Sequence, residues 1–114
     1  MLFGTFTVTE ALTFAARLKL KISHEEQDNR VQEIIRDLGL SHVANSRIGS
    51  KYKKILPNGE KKRLSIGIEL VSDPSIIVLD EPTSGLDSFM ARSICELLHN
   101  LSREKGKTVL ATIH

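Results

Sequence analysis

The sequence predicts an α/β fold, and three observations carry that expectation. The first 39 of its 114 residues hold two tandem amphipathic patterns with helical spacing. Ile76-Ile77-Val78-Leu79 is then an uninterrupted, largely β-branched apolar run that stops at two acids, Asp80 and Glu81. Such runs mark strands covered on both faces, as in parallel sheets. A second run of the same kind, Thr108 to Ile113, follows after a segment with helical periodicity. Strand, helix and strand in that order make a βαβ unit, in which the two strands are parallel and the crossover right-handed. The length suits one small domain or part of a larger one. With aromatic residues at 4% and no Trp, the core must be built from Leu, Ile, Val and Ala.

In chain order, Thr7 with Glu10 three residues later forms a capping box. Val8, Ala11, Leu12 and Ala15 recur behind it at helical spacing, which predicts a helix to about Leu20. Ser23 and Glu26 repeat the device ahead of the stripe Val31, Ile34, Ile35, Leu38, and Gly39 stands where a left-handed residue ends a helix. From Leu40 to Leu56 no period of either kind is sustained, so the segment reads as loop with one short turn. Leu64 to Leu70 alternates like a strand, while Leu64, Ile68 and Val71 also fit one helical face. The flanks favour the helix: Asn58-Gly59-Glu60 in front resembles a helix start that Asn58 can cap, and Asp73-Pro74 behind resembles an exit. Asp87 is placed to cap a helix whose stripe is Ile94, Leu97, Leu98 and Leu101, and Gly106 closes the connection to the second strand. One boundary, near Ile55, divides a mostly helical segment (1–55) from an α/β segment (56–114).

Composition excludes several classes of function. Hydrophobic residues at 40% and charged residues at 26% exclude a disordered chain. No apolar run approaches the length of a membrane span, and there is no secretory leader pattern. The lone Cys95 has no partner for a disulfide or a metal site, which fits a reducing compartment; beside the apolar stripe it reads as a small packed side chain. His24, His42 and His99 read as surface or cap residues. Between Arg47 and Arg63 lie seven Lys or Arg residues against one acid, Glu60. The stretch reads as a solvated face, as positive potential near a nucleotide or a membrane face, or as a nucleic-acid site. Against the last, only Tyr52 accompanies the charge for base stacking, and no nucleic-acid partner is expected.

The chemistry is concentrated in Ile76 to Asp87. A strand ending in Asp80-Glu81 sets two carboxylates at the C-terminal edge of a parallel sheet, where open α/β sheets bind ligands. One acid there can hold Mg²⁺ and the next can orient or deprotonate a water. The bland alternative is a surface turn built with Pro82 and Gly85.

The string Asp80-Glu81-Pro82-Thr83-Ser84-Gly85-Leu86-Asp87 matches at every position the Walker B and D-loop of ATP-binding-cassette ATPases. Leu56 to Gly67 falls at that family's signature loop and helix, and Thr112-Ile113-His114 at its switch histidine. The run Ile66 to Leu70 and the opening Thr7 to Leu18 resemble subfamily G, the White-type half-transporters. The resemblance covers nearly the whole chain. It implies a partial P-loop NTPase cassette, comprising the helical subdomain and part of the parallel core sheet. It implies ATP and Mg²⁺ as cofactors, and a second cassette and a membrane domain as partners. The setting implied is the cytoplasmic face of a membrane, and the role is coupling of MgATP hydrolysis to transport of lipid-like or hydrophobic substrates. By the same resemblance Asp80 lies on the Mg²⁺ shell, Glu81 positions the hydrolytic water and His114 reaches the γ-phosphate. Ser84, Gly85 and Asp87 form the D-loop, and Asn58, Gly59 and Glu60 belong to the signature that faces the nucleotide.

Two departures qualify this. Where the family reads Ser-Gly-Gly, the chain has Pro57-Asn58-Gly59, and proline supplies neither a hydroxyl nor an N–H to a phosphate. There is no GxxxxGK[ST] phosphate loop in the 114 residues, so the chain on its own is expected to show no ATPase activity. A truncated, non-catalytic paralogue that docks on an intact cassette is the rival reading.

Overall fold

The computed structural model describes residues 5–49 and 56–112. The boundary near Ile55, the aromatic Tyr52, and the last two residues, including His114, lie outside them. The elements in order are α1 (Val8–Lys19), α2 (His24–Asp37), a 3-10 turn (Ser41–Val43), α3 (Asn58–Leu70), β1 (Ile76–Asp80), α4 (Ser88–Glu104) and β2 (Thr108–Thr112).

Local chemistry accounts for the helix ends. Thr7 caps α1 with both arms of the capping box: its hydroxyl accepts from the Glu10 N–H at 3.1 Å, and the Glu10 carboxylate accepts from the Thr7 N–H at 2.8 Å. Ser23 accepts from the Glu26 N–H at the start of α2, while its own hydroxyl donates to the Glu26 carboxylate. At the far end of α2, Gly39 has φ +66, the Gly39 N–H reaches Arg36 O and the Leu40 N–H reaches Ile35 O. This is a complete Schellman stop, and it requires a residue at ease in the left-handed region. The segment Leu64 to Leu70 is helical, as its flanks predict.

The core joins the two halves. Leu12, Ile34, Leu38, Leu40, Leu56, Ile66, Ile77 and Ile94 are all fully buried in one cluster, whose buried hydrophobic members are Leu, Ile, Val and Ala. Burial of each such large side chain contributes about 1.5–3 kcal/mol. Helix α3 is the central element, packed against α1, α2, α4 and β1. Its Gly67 leaves no room for a side chain: a Cβ there would stand 2.9 Å from Leu38 Cδ1 and 3.1 Å from Ile34 Cγ2.

The strands pair in parallel, from Ile76 opposite Thr108 to Asp80 opposite Thr112. One expectation is met on one face and another is corrected. Among the described residues the strands are covered on a single face: Ile76, Val78 and Leu110 are 56%, 67% and 55% exposed, whereas Ile77 is buried. Within the described residues the helices pack on the Ile77 side alone, and an apolar run records what a strand is able to bury rather than what covers it. Cys95 is exposed on α4 and not packed, because it stands one residue after buried Ile94, about 100° round the helix and off the stripe, beside exposed Glu96.

Guanidinium groups tie α2 to α3. Arg30 from α2 donates to Leu70 O at 2.6 Å and Val71 O at 3.3 Å, and Arg63 from α3 donates to Leu38 O at 2.9 Å and to the Ser93 hydroxyl. Each helix thus has carbonyls at its C-terminal end covered by a cation from the other. At the N-terminal edge of the sheet, Asp73 binds Lys107 and lies 3.6 Å from Arg30. The Lys107 hydrogen bond and the cations around it hold the Asp73 carboxyl below its usual range, against an opposing desolvation effect.

Candidate functional site

The opposite, C-terminal edge of the sheet carries the acids. Asp80 is the last residue of β1 and shares a rung with Thr112, so both side chains project from the same face. The Thr112 hydroxyl donates to Asp80 Oδ1. The next residue, Glu81, leaves the strand with φ +47, a left-handed conformation that costs a non-glycine residue about 1–3 kcal/mol. Its N–H is held at 3.1 Å by both the carbonyl and the hydroxyl oxygen of Thr112. The chain then reverses twice: Ser84 N–H bonds to Glu81 O across Pro82-Thr83, and Leu86 N–H bonds to Thr83 O across Ser84-Gly85. Gly85, at φ +78, supplies the positive φ that the second turn needs.

Residues named on sequence grounds are brought together in two groups. Asp80 and Glu81 meet at the sheet edge, the first exposed and the second half-buried. Asn58, with Lys61 and Lys62 behind it, faces Ser84 and Gly85 across a shallow concavity of about 310 Å³. This concavity continues along the flank of α3 into a cleft of about 380 Å³ that Asp80 and Pro82 line. Gly59 is buried, with its missing side chain facing Met90 in the first turn of α4, so the starts of α3 and α4 are braced together.

Three placements differ from the sequence expectation or sharpen it. Asn58 is not the cap of α3 but its first helical residue; the cap is Pro57, which makes no side-chain hydrogen bond. The cause is the φ of −59 and ψ of 156 at Pro57, which fit a cap whose ring has nothing to offer the helix. Asp87 is occupied locally, since its carboxylate caps α4 by accepting from the Met90 N–H at 2.8 Å. Glu60 stands in the first turn of α3, where its charge already complements the helix dipole. Thr112 was legible as a strand residue and as a neighbour of the switch histidine, but not as a partner of Asp80, because that role depends on a rung shared across 32 positions.

The family model described as ABC transporter matches residues 1–84. The chain belongs to the ABC transporter family. A yeast protein, the uncharacterized ABC transporter ATP-binding protein/permease of Saccharomyces cerevisiae, is 46% identical over 99% of the chain. The broad substrate specificity ATP-binding cassette transporter ABCG2 of Mus musculus is 44% identical over all of it. These relatives bear out the subfamily G resemblance. The chain spans 9% and 18% of their lengths. Among solved structures, the ATP-binding cassette MJ0796, described as a dimeric post-hydrolysis state bound to ADP and Pi, matches with TM-score 0.72 and 31% identity over 97% of this chain and 47% of that one. The fold is thus that of part of an ABC ATPase cassette.

Proposed function

We propose that this chain forms part of the domain of a subfamily G cassette that binds and hydrolyses MgATP, and contributes its acids rather than its phosphate loop. In this reading, turnover drives transport of lipid-like or hydrophobic substrates across a membrane, with the cassette on the cytoplasmic side. The observation that carries the reading is the Asp80–Glu81 pair at the C-terminal edge of a parallel sheet, beside a cleft. A second cassette and a transmembrane domain are the partners proposed; the solved cassette MJ0796 is described as dimeric, and the mouse relative is named a transporter.

The donor set suits Mg²⁺. Among the described residues no three His, Cys, Asp or Glu side chains cluster to form an all-protein cage, and Mg²⁺ is commonly held by one or two carboxylates together with water and substrate phosphates. Asp80 has one oxygen engaged by Thr112 and retains acceptor capacity on the other. When bound, the ion neutralises charge on the phosphates. In this reading Glu81 orients a water and accepts its proton during attack on the terminal phosphorus. Ser84 and Gly85, across from Asn58, form the face toward the partner cassette. His114 is proposed, from its match to the switch position alone, to reach the γ-phosphate. In the natural protein that carries these residues, Glu81→Gln is expected to lower MgATP turnover by about a hundredfold or more while leaving nucleotide binding in place. A wild-type rate in that variant would sink the assignment.

The composite site on the signature side is proposed to be degenerate. Pro57 at the cap of α3 removes a hydroxyl and an N–H from a helix start that otherwise suits an anion. Asn58, Gly59 and Glu60 remain as its contacts, with Gly59 able to offer only its backbone. Each lost charge-assisted hydrogen bond is worth about 1.5–3 kcal/mol, or roughly tenfold or more in phosphate engagement. Pro57→Ser with Asn58→Gly is expected to raise turnover by about tenfold, and an unchanged rate removes the idea. The same cap favours the second reading, a non-catalytic module that docks on an intact cassette. Co-purification of the 114-residue protein with an intact half-transporter, without any gain in hydrolysis, supports that one.

A further inference from the structure

Thr112 does three things at the edge where the acids sit. Its hydroxyl donates to Asp80 Oδ1, the same oxygen accepts from the Glu81 N–H at 3.1 Å, and its carbonyl accepts from that N–H as well, also at 3.1 Å. The rung that pairs Asp80 with Thr112 makes this possible, because equivalent positions on adjacent parallel strands project from the same face. Glu81 meanwhile holds φ +47, a conformation that needs surrounding bonds to persist.

We propose that Thr112 is the positioning residue for both acids: through one hydroxyl it turns the Asp80 carboxylate and fixes the backbone from which the Glu81 carboxylate departs. This rests on the reading of Asp80 as the Mg²⁺ acid and Glu81 as the water-orienting acid. A carboxylate with one oxygen held by a fixed donor presents the other in a set direction, and such outer partners tune metal affinity. The hydroxyl is the active feature. A β-branched residue without it would fit the strand equally well.

The test uses Thr112→Val, Thr112→Ser and the controls Asp80→Asn and Glu81→Gln, each in the natural protein. MgATP kinetics are measured over a range of Mg²⁺ concentrations, and Mn²⁺ binding in the presence of ADP is measured by electron paramagnetic resonance. Thr112→Val is expected to lower kcat by about tenfold and to weaken Mn²⁺ binding by a similar factor. The KM for ATP should stay within about twofold, and Thr112→Ser should restore both quantities to within about twofold. A Thr112→Val protein with wild-type kcat and Mn²⁺ affinity overturns the proposal, as does a Thr112→Ser protein as impaired as Thr112→Val. Should Thr112→Val fail to fold, the Thr112→Ser arm decides alone: wild-type behaviour supports the hydroxyl, and impairment with intact folding overturns it. A wild-type rate in Asp80→Asn and Glu81→Gln overturns the underlying reading of the acids. Loss of rate in those two beside a wild-type Thr112→Val overturns the Thr112 assignment alone.

Discussion

Gly67 shows how one residue misleads a reading by period and what it does instead. In Leu64-Ser65-Ile66-Gly67-Ile68 the glycine looks like the small, polar-side member of an alternating strand. It is buried in the middle of α3, where Leu38, Ile34 and Leu12 crowd the space that a Cβ would take. A glycine that makes room for neighbouring side chains has no hydrophobicity of its own, so the apolar stripe of α3 has a gap that only packing explains. Two opposing effects decide what Gly67→Ala does. Helix propensity favours alanine by about 1 kcal/mol, whereas insertion of a methyl group 2.9 Å from Leu38 Cδ1 and 3.1 Å from a β-branched Ile34 overpacks a filled core, at a cost of about 1–3 kcal/mol. The Leu38 methyl lies at a side-chain end, but Leu38 is fully buried and its retreat is blocked. Gly67→Ala is therefore expected to destabilise by about 1 kcal/mol in denaturant titration, and a gain in stability would show that the core has slack at this point.

Element ends were legible wherever their chemistry is local. Thr7, Ser23, Asp87 and Gly39 act within a few residues of themselves, and each does in the structure what its position in the sequence implies. Arg30 and Arg63 were not legible, because the carbonyls they cover are 40 and 25 residues away along the chain. Arg63 read as one cation in a basic run. In the structure it is the bolt between α3, the end of α2 and Ser93 of α4. Its guanidinium reaches two acceptors at once, which a lysine ammonium on a single stem cannot match. Arg63→Met is expected to destabilise by about 1–2 kcal/mol, since a hydrogen bond from a charged group is lost and the helix-end carbonyl of Leu38 is left uncovered. Arg63→Lys should recover no more than about half of that loss. Equal stability of Arg63→Met and wild type in urea would show that water replaces the guanidinium without cost.

At the scale of the whole chain, the residue pattern told which strands and helices form and where the acids end, but not which sheet face the described helices cover. Ile76, Val78 and Leu110 are as apolar as residues that are buried, and nothing local distinguishes them. The same holds for the N-terminal edge of the sheet, where one carboxylate joins α2, the α3–β1 link and the lead into β2. Asp73 sits at φ +53, bound to Lys107 and 3.6 Å from Arg30. Its pKa is depressed by the Lys107 hydrogen bond first and by the surrounding cations after it. A depressed carboxyl contributes stability that is fully present above its unfolded pKa of about 3.9 and is lost as pH falls through the folded value. The comparison that isolates it is Asp73→Asn, because asparagine keeps the left-handed backbone while removing the charge. Wild type is expected to exceed Asp73→Asn in stability at neutral pH by less than about 1 kcal/mol, since the carboxylate is 68% exposed and screened by solvent. The gap should hold constant down to about pH 5 and close below about pH 4, as protonated Asp73 becomes nearly isosteric with the variant. Other titrating groups are common to both proteins and cancel in the difference. A gap that widens on acidification would mean that the ion pairs at this edge oppose folding rather than hold the helical layer to the sheet.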